Sequence, residues 1–320
     1  MSCNISTTFQ HVANVGETQL TSELEGNLKA FLDWGMLGIG GWFDVTIPTS
    51  GAWGGTFDQL RLVDDPAYIQ GQVWESARKD WVWETVSPYS GGNPIPITGV
   101  SVNGSFYGTG DATYAHHYNY PLGRVVFDTP IAIASTVKLN YSYRNVQVYV
   151  ADQAPWWDEL QYNSMRVDDS TFSQVSSGNW SILSNHRVQM PAIVIEAVPR
   201  RTYQPYELGS SNNFITQDVL FHVVSESRWW RNQLIDIVSL QKDKTLMLYD
   251  SSKLADANAY PLDYRGMVVA SENNYSGLVN NADYQFTSAR ITKMGITEME
   301  SYNSRLHEGT IRASFEVIFK

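Results

Sequence analysis

The residues able to catalyse a reaction or ligate a metal are few, and their spacing suits neither task. His116 and His117 are adjacent. In a strand, neighbouring side chains point to opposite faces, so the two imidazoles cannot close on one ion. With Tyr114, Tyr118 and Tyr120 around them, they read as an exposed aromatic loop. Asp64-Asp65 and Asp168-Asp169 are carboxylate pairs. Glycoside hydrolysis needs two carboxylates about 5 to 9 Å apart across a cleft, which sequence neighbours rarely supply, and Asp65-Pro66 favours the start of a turn. The run Gly35-Met36-Leu37-Gly38-Ile39-Gly40-Gly41 ends a helix instead of opening one, so it is not a dinucleotide fingerprint. The single cysteine, Cys3, can make no internal disulfide and no thiolate metal site. No Gly-x-Ser-x-Gly elbow and no His-Glu-x-x-His helix occurs. The expectation is a protein without catalytic, metal or cofactor sites, and not an enzyme.

Two tryptophan pairs carry more information, Trp156-Trp157 and Trp229-Trp230. Exposed tryptophans can stack on sugars, and with Tyr114 and Tyr118 this supports an alternative reading as a carbohydrate-binding or receptor-directed component. Large aromatics beside Arg228 and Arg231 can also anchor a neighbouring subunit. Trp230 is in phase with Leu234 and belongs to a core face, which leaves Trp229 turned elsewhere. The candidate interface is therefore Trp156, Trp157, Arg228, Trp229 and Arg231.

The elements that must position these residues are mostly strands. Over 320 residues, hydrophobic content is 43%, aromatic content 13% and charged content 17%, a balance that folds. Eleven Trp and eighteen Tyr favour pleated faces and interfaces. A formal net charge of −11 disfavours duplex DNA as a ligand held by phosphate contacts, but not as a polymer that merely passes. A DNA-binding residue set cannot be named. No signal peptide or membrane span is visible, so a reducing cytosol is the expected site of synthesis.

Leu20, Leu24, Leu28, Phe31 and Leu32 predict a helix from Thr21 to Trp34 ended by Gly35. Trp42 to Pro48 predicts a short strand closed by the proline, and the alternation through Asp80-Trp81-Val82-Trp83-Glu84 predicts another. From Ile95 to Val150 the pattern is β throughout, with a hairpin at Asn103-Gly104. The predicted fold class is α+β and β-rich. An N-terminal helix with a Gly/Trp-rich β segment occupies 1–90, a small β-sandwich or barrel 91–152, and an α/β domain 153–320. In the last, Ala192–Glu196 and Asp218–Val224 are strands, and Ser225 or Ser227 caps a helix carrying Trp230, Leu234, Ile237, Val238 and Gln241. Leu246–Tyr249 and the alternating run from Thr310 to Phe319 are further strands.

The segment Pro191 to Tyr249, with Glu226-Ser227-Arg228-Trp229-Trp230-Arg231-Asn232-Gln233-Leu234-Ile235-Asp236 opening the helix, resembles the tail-terminator and neck proteins of tailed bacteriophages. In those proteins the helix after a central strand presents an Arg-x-x-Leu-x-Asp-like face, here Arg231, Leu234 and Asp236. The resemblance adds Asp236 to the interface set. It implies a virion structural protein assembled in the host cytoplasm, a homo-oligomeric ring (usually hexameric) between head and tail, portal and tail-tube or sheath proteins as neighbours, and genomic DNA passing through without specific binding. The β-rich segments ahead of Pro191 are not part of a minimal terminator.

Overall fold

The computed structural model of the chain describes residues 20–47, 57–154, 157, 189–205, 213–303 and 306–319. The fold is mixed α+β and strand-rich. Among the described residues its longer helices are α1 (Leu20–Gly38), α2 (Arg228–Ser239), α3 (Ser251–Ala257) and α4 (Tyr275–Asn280). The early strands are β1 (Trp42–Val45), β2 (Arg61–Leu62), β3 (Val73–Glu75), β4 (Val100–Val102), β5 (Ser105–Tyr107), β6 (His116–Asn119), β7 (Arg124–Phe127), β8 (Val137–Lys138) and β9 (Tyr141–Arg144). The later ones are β10 (Gln147–Val150), β11 (Ala192–Pro205), β12 (Asn213–Ser225), β13 (Thr245–Tyr249), β14 (Gln285–Asn303) and β15 (Leu306–Phe319).

The chain divides into two discontinuous units where the loop signals predict three consecutive ones. One unit joins 1–32, 147–258 and 275–320; the other joins 33–146 and 259–274. The Pro- and Gly-rich loop at 87–94 is therefore no boundary. The cut expected after 152 falls at Val146/Gln147, because β10 pairs in parallel with β11, Gln147 opposite Ala192 and Val150 opposite Ile195.

In the unit 33–146 with 259–274, a four-stranded sheet (β2-β3-β7-β6), a three-stranded sheet (β5-β4-β8) and the β1-β9 pair enclose one core. Trp81, Phe127, Leu139 and Tyr141 at its centre are fully buried. Asn103 (φ 52°) and Gly104 (φ 88°) form the expected hairpin between β4 and β5, both in the left-handed region that a type I′ turn requires. Two expectations fail here. The histidine pair is not an exposed loop: it lies in β6, where alternation buries His116 and Tyr118, and the His116 ring nitrogens face the Tyr114 carbonyl and the Tyr118 hydroxyl at 2.6 and 3.0 Å. The stretch 80–84 is not a strand either. Asp80 takes a positive φ of 54°, and only Trp81 bridges to Tyr143. Glu84 turns inward, and both of its oxygens accept from Arg144 Nη2 at 2.6 and 2.7 Å.

Helix α1 does not stop at Gly35, around which a methyl group would meet nothing. It ends where Gly40 adopts φ +77°. Gly40 N–H donates to Leu37 O at 3.1 Å and Gly41 N–H to Met36 O at 2.8 Å. That pair of bonds is a Schellman cap.

The unit containing β10 to β15 is built on one sheet in the order β10-β11-β12-β15-β14-β13. Strands β11, β12, β15 and β14 are long and successively antiparallel. Strand β14 shifts register against β15 between Ile291 and Lys293, between Ile296 and Glu298, and between Ser301 and Asn303. At the first two shifts the intervening threonine, Thr292 or Thr297, donates its hydroxyl to a β15 carbonyl at 3.2 Å. Each bulge bends the strand and adds twist, so the sheet is curled along β14.

Candidate functional site: the two faces of the long sheet

The period of two along β12 and β15 sorts their side chains into two unlike layers. On one face Val219, Phe221 and Val223 lie beside Ala313, Ile311 and Gly309, all buried. Helix α2 covers this face. A Cβ on Gly309 would stand 2.3 Å from Ile235 Cδ1 and 3.5 Å from Arg231 Cδ, so glycine lets the helix approach the sheet closely.

Helix α2 is rotated relative to the expected face. Arg231, Leu234, Ile235 and Val238 are its buried residues, whereas Trp230 and Ile237 are half-buried. The difference comes from Arg231. Its methylene stem packs under the helix, and its guanidinium donates to the Glu308 carbonyl at 3.3 Å and to Asn232 Oδ1 at 3.0 Å. A long cation can line an apolar surface in this way while its polar end finds acceptors. The outward stripe is Trp229, Asn232, Gln233, Asp236 and Leu240. Trp229 is 61% exposed, and its ring meets the edge of Trp230 at 4.9 Å and 76°.

The other face of the sheet is polar. His222 lies opposite Thr310, and Asp218 opposite Ser314. The Glu308 carboxylate stands 2.9 Å from His222 Nδ1 and the Glu196 carboxylate 3.2 Å from its Nε2. Trp157 covers this group, with its ring 4.6 Å from that of His222, and packs on Ala192, Val194 and Val224. Further along the same face the Arg312 guanidinium and the Ser314 hydroxyl both donate to Asp218. Partial burial raises the Asp218 carboxyl, but those two hydrogen bonds and the Arg312 charge outweigh it and hold it below its ordinary value.

The named interface residues thus separate. Arg228, Trp229 and Asp236 share the solvent side of α2. Arg231 and Trp157 are 5% and 1% exposed; both are committed to contacts within the unit and offer a partner little. Trp156 lies outside the described residues, as do Asp168 and Asp169. The sugar-stacking alternative loses Tyr118 and Trp157 to the core. What the sequence did not signal is the His222, Glu196 and Glu308 group, since its members lie 26 and 86 residues apart. The alternation of β12 and β15 could have placed His222 and Glu308 on one face, but not in register.

Among the described residues, no group of three or more His, Cys, Asp or Glu side chains is placed to hold a metal ion, and no helix is long and apolar enough to cross a membrane. No protein-family model matches the chain, and no curated protein matches it.

Proposed function

We propose that the protein is a non-enzymatic structural subunit of a tailed-phage virion, placed at the neck, where it forms a ring that joins or terminates the tail and lets DNA pass. The unit built on the six-stranded sheet, 147–258 with 275–320, serves as a tail-terminator-like α/β domain that makes the ring, hexameric as the resemblance implies. The β-rich unit of 33–146 with 259–274 dresses the ring or meets the neighbouring portal and tail-tube proteins.

The observation that carries this reading is Trp229, 61% exposed on a helix whose opposite face is firmly packed. Holding a large aromatic in water has no benefit to the monomer, whereas a rigid aromatic beside arginine is what anchors protein contacts. The formal charge of −11 fits a wall that DNA passes without adhering. The test is negative-stain microscopy of the purified full chain, alone and mixed with portal and tail-tube proteins. Rings, or incorporation into a ring, are expected; a chain that stays monomeric and joins neither assembly refutes the proposal.

A further inference from the structure

A strand with a neighbour on one side only leaves a row of N–H and C=O groups that another chain can pair with, and folded proteins cover or blunt such edges. In the six-stranded sheet nearly all of them are closed from within the same unit. Strand β10 is buried at Gln147, Val148 and Val150. Beyond Ile195, where β10 ends, the Ala197 N–H of β11 donates to Glu25 of α1 at 2.8 Å, and Pro199 and Pro205 have no N–H to offer. On β13, Asn27 of α1 accepts from the Tyr249 N–H at 2.8 Å and donates to its carbonyl at 2.9 Å. The Tyr275 hydroxyl donates to the Met247 carbonyl at 2.9 Å.

The exception is β14 past Ile291, whose N–H and C=O still pair with the Lys244 carbonyl and the Asp243 N–H at 2.9 Å just ahead of β13. From Thr292 to Asn303 the strand pairs with β15 alone, and among the described residues no other group bonds to its outer side. Ile296 and Met299 are 51% and 47% exposed, Lys293, Gly295 and Thr297 are exposed, and nothing stands within 4 Å of where a Gly295 Cβ would be. A bare edge carrying apolar side chains is a docking strand.

We propose that a second copy of the chain docks here, β14 against β14, antiparallel about a twofold axis. The sequence Lys293-Met294-Gly295-Ile296-Thr297-Glu298-Met299-Glu300 is complementary to its own reverse. With Thr297 the bulged residue, one antiparallel register sets Lys293 opposite the partner's Glu300 and Met294 opposite the partner's Met299, with Ile296 facing its own copy on the twofold axis. The first two pairs occur twice, as an isologous contact demands. A parallel in-register pairing would set like charges side by side and is disfavoured. This contact does not rest on the ring reading: a ring needs a head-to-tail interface, so the twofold contact would join two rings or, without rings, make a dimer.

The experiment is sedimentation velocity of the full chain over a wide concentration range. The Trp229→Ala background removes the α2 anchor, so the two contacts are read separately, and circular dichroism checks the fold of each variant. Lys293→Glu and Glu300→Lys should each weaken self-association about tenfold, since opposed charges become like ones at two symmetric pairs, and the two swaps combined should restore it. A chain that is monomeric throughout, single swaps without effect, or a double swap that fails to restore association would each overturn the proposal and leave the edge to a strand from a different protein.

Discussion

Replacing Trp229 by alanine separates assembly from folding. A tryptophan side chain offers roughly 250 Å² of surface. With 61% of it exposed, roughly 150 Å² remains for a partner to cover, worth about 4 kcal/mol at about 25 cal/mol per Å². That is an upper figure, close to what a strong interface anchor loses on truncation. It corresponds to roughly a thousandfold in association constant. The monomer loses mainly the edge contact with Trp230, about 0.5 to 1.5 kcal/mol. Leu234→Ala is the counterpart: Leu234 is 1% exposed, and its truncation should cost about 2 to 5 kcal/mol of folding stability. Sedimentation equilibrium reads the first quantity and urea unfolding the second. If Trp229→Ala assembles like the wild type, or unfolds as readily as Leu234→Ala, the assignment of the outer face of α2 to a partner is wrong.

Other perturbations test the interior. Arg144→Met leaves the buried Glu84 carboxylate without the guanidinium nitrogen that donates to both of its oxygens and should cost about 3 to 5 kcal/mol in urea unfolding; pairing it with Glu84→Leu should recover much of that loss. Asp218 sits below its ordinary value of 3.8 in the folded chain, so the unfolded chain binds more protons as pH falls past that value. Its contribution is present above about 3.8 and disappears as pH drops through the depressed folded value; acid titration of Asp218→Asn should show a shallower loss of stability. Burial raises the phenols of Tyr120 and Tyr275 to about 12 and those of Tyr118 and Tyr141 further. In an ultraviolet pH titration this group should ionise after the exposed tyrosines. Stability should fall above pH 10, where the unfolded chain begins to lose those protons.

Local signals proved readable wherever one interaction range decided the outcome. Asn103-Gly104 fixed a hairpin because few residue pairs accept two positive φ values. The apolar runs of β11 and β12 were visible because both faces are buried at 192–195 and at 221–225. The end of α1 was misplaced by five residues' worth of glycine choices: Gly35 costs propensity but meets no conflict, whereas Gly40 alone supplies the left-handed residue of the cap. Strand β14 escaped for a different reason. Its three bulges reset the two-residue period before an alternating pattern can accumulate.

The candidate surfaces divide along the same line. A residue's outward direction on a helix depends on which neighbour claims the core, and on α2 that neighbour is an arginine. Hydropathy ranks Trp230 and Ile237 above Arg231, yet Arg231 is the buried one, because the Glu308 carbonyl on the adjacent strand accepts its guanidinium and Gly309 leaves room for its neighbour on the helix, Ile235. That single inversion turns Trp229 and Asp236 outward together with Leu240, which is 80% exposed. Restoring the hydropathic order should therefore undo it. Arg231→Leu removes the donor while keeping an apolar stem, and Gly309→Ala removes the room, at a cost of about 1 to 3 kcal/mol for the overpacked contact. If the direction of Trp229 depends on this seat, Gly309→Ala should reduce assembly out of proportion to its loss of stability, measured by sedimentation and urea unfolding on the same sample. Equal, proportionate losses would mean that α2 keeps its rotation without the close approach at Gly309.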